Sequence, residues 1–189
     1  MNRHLLLALA AGAMAALVFG ARTGAGESGL VGKAAPEFPS LERASWSGTP
    51  TSLASQRGRP VLINVWTFGC INCTRTLPWV RAIDERYKKR GLTVIGVHSP
   101  EFEEERDPKA VDTAREKHGL AYPSYLDNGH RYWNALDNHY WPALYLIDAQ
   151  GTVRDVQFGE VHDGDAADTR LRSEIESMLP APAAPATGR

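Results

Sequence analysis

Cysteine is scarce in this chain: 189 residues carry two, Cys70 and Cys73, three positions apart. That excludes a disulfide framework of several bridges. It also leaves a structural zinc site two ligands short of the usual four unless histidines complete it. A bridge between the two would close a four-residue loop, which contributes only about 2 kcal/mol in the chain-entropy account. Redox chemistry is therefore a better reason for the pair than stability. Net charge is scarce too, at -1. The one basic triplet, Lys88-Lys89-Arg90, stands at the end of an expected helix, where cations suit the dipole. No nucleic-acid surface is expected.

Uncharged stretches long enough to matter occur once. After Met1-Asn2-Arg3-His4, residues 5–21 carry no charge. The run sits at the lower edge of the roughly 17–25 residues that span a bilayer. Residues 1–26 therefore read as a signal peptide or an N-terminal membrane anchor, and the protein as exported, periplasmic or otherwise extracytoplasmic. Small residues suited to cleavage follow. The absence of cysteine there excludes a lipidated anchor. Residues 20–33 are Gly-rich and read as a linker. Residues 180–189 are rich in Ala and Pro and read as a disordered tail. The folded unit is expected over 34–179.

Within it, Val61-Leu62-Ile63-Asn64-Val65-Trp66 is almost wholly apolar and predicts a strand buried on both faces. Leu77, Val80, Ile83 and Tyr87 keep helical spacing between Cys73 and Arg90, and Gly91 stops the helix. A second buried strand is expected over 92–97. Asp107 and Pro108 suit the N-cap and first position of a helix reaching His118-Gly119. A short helix over 131–137, a strand over 144–148, a turn at 149–151, a strand over 152–158 and a helix over 166–178 complete the order. The fold class is α/β, a mixed central β-sheet flanked by helices.

Cys70-Ile71-Asn72-Cys73 falls at the junction of the first strand and its helix. A thiol at a helix start meets unpaired amides and the positive end of the dipole, which favour thiolate. A second thiol one turn on can attack a mixed disulfide formed by the first. These are the requirements of a thiol-disulfide oxidoreductase. Residues 61–73 resemble the thioredoxin superfamily, TlpA-like branch. The continuation is similar to the C-terminal thioredoxin-like domain of DipZ-type proteins. It shares Thr76-Leu77-Pro78, Gly96-Val97-His98-Ser99-Pro100-Glu101-Phe102, Tyr122-Pro123 with Asp127-Asn128, and Tyr140-Trp141-Pro142-Ala143.

The resemblance implies a thioredoxin fold and a set of roles. Cys70 is the expected nucleophile and Cys73 the resolving thiol. Pro142 is the expected cis-proline facing them, with the Trp141 backbone binding an extended substrate. Pro78 is the expected helix-kinking proline. Two acidic positions of the wider family hold Asn64 and Thr76 here. Glu101 is therefore the candidate proton-transfer carboxylate, unless it is merely one solvated member of the acidic run 101–105. His98 is either a base or a packed histidine. Trp66, Phe68, Trp79, Tyr140 and Trp141 either line an apolar groove or belong to the core; Trp141, Phe68 and Trp66 are the expected substrate contacts.

No cofactor and no resident metal are expected, although His98, His118, His130, His139 and His162 leave a metal site open. The expected partners are proteins with cysteine thiols or disulfides and a membrane electron donor, with the chain itself a monomer. Cytochrome c biogenesis and general disulfide reduction in the envelope both fit. Ile71 and Asn72 carry no charge, so nothing between the cysteines stabilises thiolate strongly. The expected direction is reduction, at roughly -220 to -270 mV. Two rivals stand beside this reading. Thr67-Phe68-Gly69-Cys70 fits part of a thiol peroxidase motif, but Ile63 stands where that motif has proline. Soft thiolates with histidine suit a copper-binding module, at a spacing shorter than that of the copper chaperones.

Overall fold

The computed structural model describes residues 29–180. The expected signal or anchor segment 1–26 and the tail beyond 180 lie outside the described residues. Among the described residues no helix is long and apolar enough to cross a membrane.

The chain forms β1 (Trp46–Ser47), β2 (Val61–Trp66), α1 (Ile71–Tyr87), β3 (Thr93–His98), α2 (Pro108–His118), β4 (Ser124–Leu126), α3 (Arg131–Ala135), β5 (Ala143–Ile147), β6 (Val153–Phe158) and α4 (Ala166–Met178). The six strands make one mixed sheet in the order β1-β4-β3-β2-β5-β6. β2 pairs parallel with β3 and antiparallel with β5. All six residues of β2 are buried. That explains why its sequence is apolar without alternation: helices and loops cover both faces.

Alternation along the strands divides the core. Leu62 and Trp66 join Leu77, Val80 and Ile83 of α1 on one face, while Val61, Ile63 and Val65 meet Phe38, Tyr132 and Tyr145 on the other. The helix ends follow the residues. Asp107 caps α2 by accepting from the Lys109 amide, with Pro108 at its first position. Gly119, at φ 67°, takes the left-handed conformation that ends the helix. Asp165 caps α4 by accepting from the Asp168 amide.

Three sequence expectations shift. The long helix begins at Ile71 rather than Cys73, and its last residues, Lys88–Arg90, tighten into a 3-10 turn. The end of the expected linker is not free: Gly32 and Lys33 exchange backbone hydrogen bonds with Val153, at 2.9 Å each. Two short strands, β1 and β4, extend the sheet beyond β3; two and three residues are too few for a periodic signal.

Candidate active site

β2 ends at Trp66, and after four intervening residues α1 begins. This places Cys70 at the N-cap of α1, where its sulfur accepts from the Cys73 amide at 3.4 Å. Cys70 is half-buried and Cys73 fully buried, and both are free thiols. The Trp141-Pro142 peptide bond is cis. The preceding carbonyl, that of Trp141, accepts from the Cys70 thiol at 4.0 Å. The motif at 140–143 therefore stands against the first cysteine, 71 residues away in sequence.

The Trp141 indole is fixed on two sides. Its Nε1 donates to the Ser99 carbonyl at 3.0 Å, and its ring lies 4.1 Å from that of Trp133. Asp127 in turn holds Trp133 by accepting from the Tyr132 and Trp133 amides at 3.0 and 2.7 Å and from the Ser99 hydroxyl at 3.2 Å. Burial pushes the Asp127 carboxyl up, and the Trp133 and Tyr132 amides with the Ser99 hydroxyl oppose it.

On the other side of the dithiol the groups are enclosed. Burial above all pushes the Cys73 thiol up; the charges on Cys70 and Glu105 add to this, and the Thr67 amide opposes it. His98 is fully buried. It stacks on Phe68 with centroids 5.4 Å apart and meets Trp66 edge-on at 5.1 Å. Its Nε2 is 3.3 Å from the Thr67 hydroxyl, and its Nδ1 has no protein partner. Burial holds the imidazole down at about 4, so it is neutral near pH 7. His98 is thus the packed histidine rather than a base poised for neutral pH.

Two expected residues stand elsewhere than their roles require. Glu101 is exposed at the protein surface. The inward carboxylate of the acidic run is Glu105, 2% exposed, because the 3-10 turn at Glu103–Arg106 directs it beneath the loop before Cys70. Its Oε1 accepts from the Gly69 amide at 2.8 Å. Its Oε2 accepts from the Glu101 and Phe102 amides at 2.6 and 3.2 Å. Burial works to raise this carboxyl, but the Thr67 hydroxyl and those three amides outweigh it, leaving it below the usual carboxylate range. Trp66 is the second correction. It is wholly buried in the core, because the alternation of β2 turns it under α1, so it makes no substrate contact. Phe68 and Trp141 are half-buried beside Cys70, and Tyr140 is exposed. Trp79 is core, its Nε1 donating to Asp168 at 2.6 Å.

Sequence reasoning missed Glu105, Asp127 as the holder of Trp133, and Thr67 as the residue joining Cys73, His98 and Glu105. The charged run hid the first, because its members share one chemistry and the 3-10 turn decides which of them points inward. Among the described residues no three His, Cys, Asp or Glu side chains gather as a metal site.

Residues 31–156 match the AhpC/TSA family. DipZ of Mycobacterium tuberculosis is 41% identical over 150 residues, which cover 77% of this chain and 21% of DipZ. The thiol-disulfide oxidoreductase YkuV of Bacillus subtilis is 30% identical over 118 residues, 62% of this chain and 79% of YkuV. The chain thus spans about a fifth of DipZ but most of YkuV. A crystal structure of a thioredoxin-like superfamily protein aligns with TM-score 0.67 and 25% identity, over 80% of this chain and 99% of the other. With its Cys70 and Cys73 thiols one helical turn apart in a thioredoxin-like fold, the chain belongs to the AhpC/TSA family.

Proposed function

We propose that the protein reduces disulfides of other proteins outside the cytoplasm, with Cys70 as nucleophile and Cys73 as resolving thiol. The observation that carries the reading is the asymmetry of the pair. Cys70 is partly open at the N-cap of α1, where a substrate sulfur can reach it. Cys73 is enclosed and held as thiol. Cys70 thiolate attacks a substrate disulfide, forming a mixed disulfide and releasing one substrate thiolate. Cys73, on losing its proton, attacks the Cys70 sulfur. The Cys70–Cys73 bond forms, the second substrate sulfur leaves, and the substrate has gained the two electrons.

Pro142, Trp141 and Phe68 form the wall against which an extended substrate segment lies. The uncharged run at 5–21 supports export, with or without retention as an anchor, and a membrane-borne donor would return the electrons. Apocytochrome c is one substrate class that fits.

The direction follows from the surroundings of the sulfurs. The residues between them are Ile71 and Asn72, and the buried charge near them is the negative one of Glu105. Neither favours thiolate, so the reduced form gains little stability. Equilibration of the dithiol with glutathione or dithiothreitol buffers of set ratio tests this. A midpoint of roughly -220 to -270 mV is expected, and one near the oxidant value of about -120 mV would make the protein a disulfide donor instead. Turnover of hydrogen peroxide under the same conditions would favour the peroxidase reading.

A further inference from the structure

The buried carboxylate beneath the dithiol makes three amide hydrogen bonds to two separate segments. One is the loop before Cys70, through Gly69; the other is the turn after β3, through Glu101 and Phe102. A side chain on Gly69 would overlap Glu105 Oε1 and press on its carboxyl carbon at 3.1 Å. Gly69 does not have the positive φ that favours glycine. The backbone therefore permits alanine there, and the obstacle is the Glu105 carboxylate, which its three amide hydrogen bonds hold in place.

We propose that Glu105 is a positioning residue for thiol-disulfide exchange, latching the nucleophile loop at Gly69 to the 101–106 turn and keeping a fixed negative charge beside the resolving thiol. The latch holds the start of α1, so Cys70 keeps its place facing the Trp141 carbonyl. It also sets the turn carrying Phe102, 57% exposed, beside the same loop. The ionisable groups gathered here are Cys70 and Cys73 at the start of α1, His98 from β3, and Glu105 itself; His98 is neutral near pH 7. The charge that bears on Cys73 is therefore that of Glu105, with that of Cys70 once it ionises.

The inference rests on Cys70 and Cys73 acting in sequence, so its test uses no protein substrate. The reduced protein is mixed with the aromatic disulfide 5,5′-dithiobis(2-nitrobenzoate). Attack by Cys70 breaks the reagent's sulfur–sulfur bond, forms a mixed disulfide and releases one coloured thiolate. Attack by deprotonated Cys73 on the Cys70 sulfur then forms the Cys70–Cys73 bond and releases the second. Glu105→Ala is expected to slow both phases at least tenfold. Glu105→Gln keeps an acceptor for the Gly69 amide but no charge; its first phase should stay within about threefold of the parent. Its second phase should begin to rise at lower pH than the parent's, since a lost negative charge eases ionisation of Cys73.

Gly69→Ala should be slow or unstable, and Gly69→Ala/Glu105→Ala should recover relative to it, because the overlapping carboxylate is gone. Near-UV dichroism checks that each variant is folded; if Glu105→Ala is not, Glu105→Gln and the double variant decide. Parent-like rates and pH profiles in both Glu105 variants, or a double variant no better than Gly69→Ala, would overturn the proposal. A parent that shows both phases yet reduces no protein disulfide would refute the proposed function and leave this inference standing.

Discussion

The two sides of the dithiol are built on opposite principles. On the open side, Cys70 meets the Trp141 carbonyl, with Phe68 and Trp141 half-buried and Tyr140 exposed. On the closed side, Cys73 meets Thr67, with the wholly buried His98 and the nearly buried Glu105 behind it. The open side presents a backbone carbonyl and aromatic faces, suited to an extended chain bearing a sulfur. The closed side presents burial above all, with fixed hydrogen bonds and a charge, and these set when the second thiol ionises. Exchange needs both: the first thiol must be reachable, and the second must wait until the mixed disulfide exists.

Changes on the open side should act on recognition. Trp141→Ala removes an indole fixed by the Ser99 carbonyl and by Trp133. A loss of roughly tenfold or more in kcat/KM for a protein disulfide is expected, as for an aromatic anchor of an interface. The rate with a small disulfide should change much less. Equal losses with both substrates would mean that Trp141 serves only to hold the fold.

Changes on the closed side should act on ionisation and stability. His98 has its folded value held at about 4 against an ordinary 6.5. Between those values the unfolded chain binds the proton and the folded chain does not. Stability from this group is therefore present above about pH 6.5 and lost as pH falls toward 4, by up to about 3 kcal/mol. Urea unfolding of the parent and His98→Gln between pH 4 and 7 should show a gap that is widest at neutral pH and shrinks on acidification. A constant gap would mean that His98 takes up its proton at the same pH in the folded and unfolded chains.

The open side was largely legible in the sequence and the closed side was not, for a physical reason. The open side depends on residues that announce themselves. Two cysteines in a chain with no others, a proline that fixes backbone, and a strand whose apolar run ends at the motif each limit the alternatives. The closed side depends on which member of a uniform run turns inward. Glu101, Glu103, Glu104 and Glu105 have the same chemistry, and only the 3-10 turn at Glu103–Arg106 separates the buried one from its exposed neighbours. Trp66 shows the same limit from the other direction. An aromatic at a strand end suits a groove or a core equally well, and the register of β2 under α1 decides for the core. The short β4 was invisible as a strand, yet it leads directly to Asp127 and so to the placing of Trp133.

The central claim is that Cys70 attacks first and Cys73 resolves. Its most direct test is the Cys73→Ser variant, reduced, mixed with a disulfide-bearing protein, acid-quenched and mapped by mass spectrometry of its peptides. The account predicts a stable mixed disulfide on Cys70, and none after Cys70 is also replaced by serine. If Cys73→Ser fails to trap a partner while Cys70→Ser traps one on Cys73, the order of attack is the reverse of the one proposed.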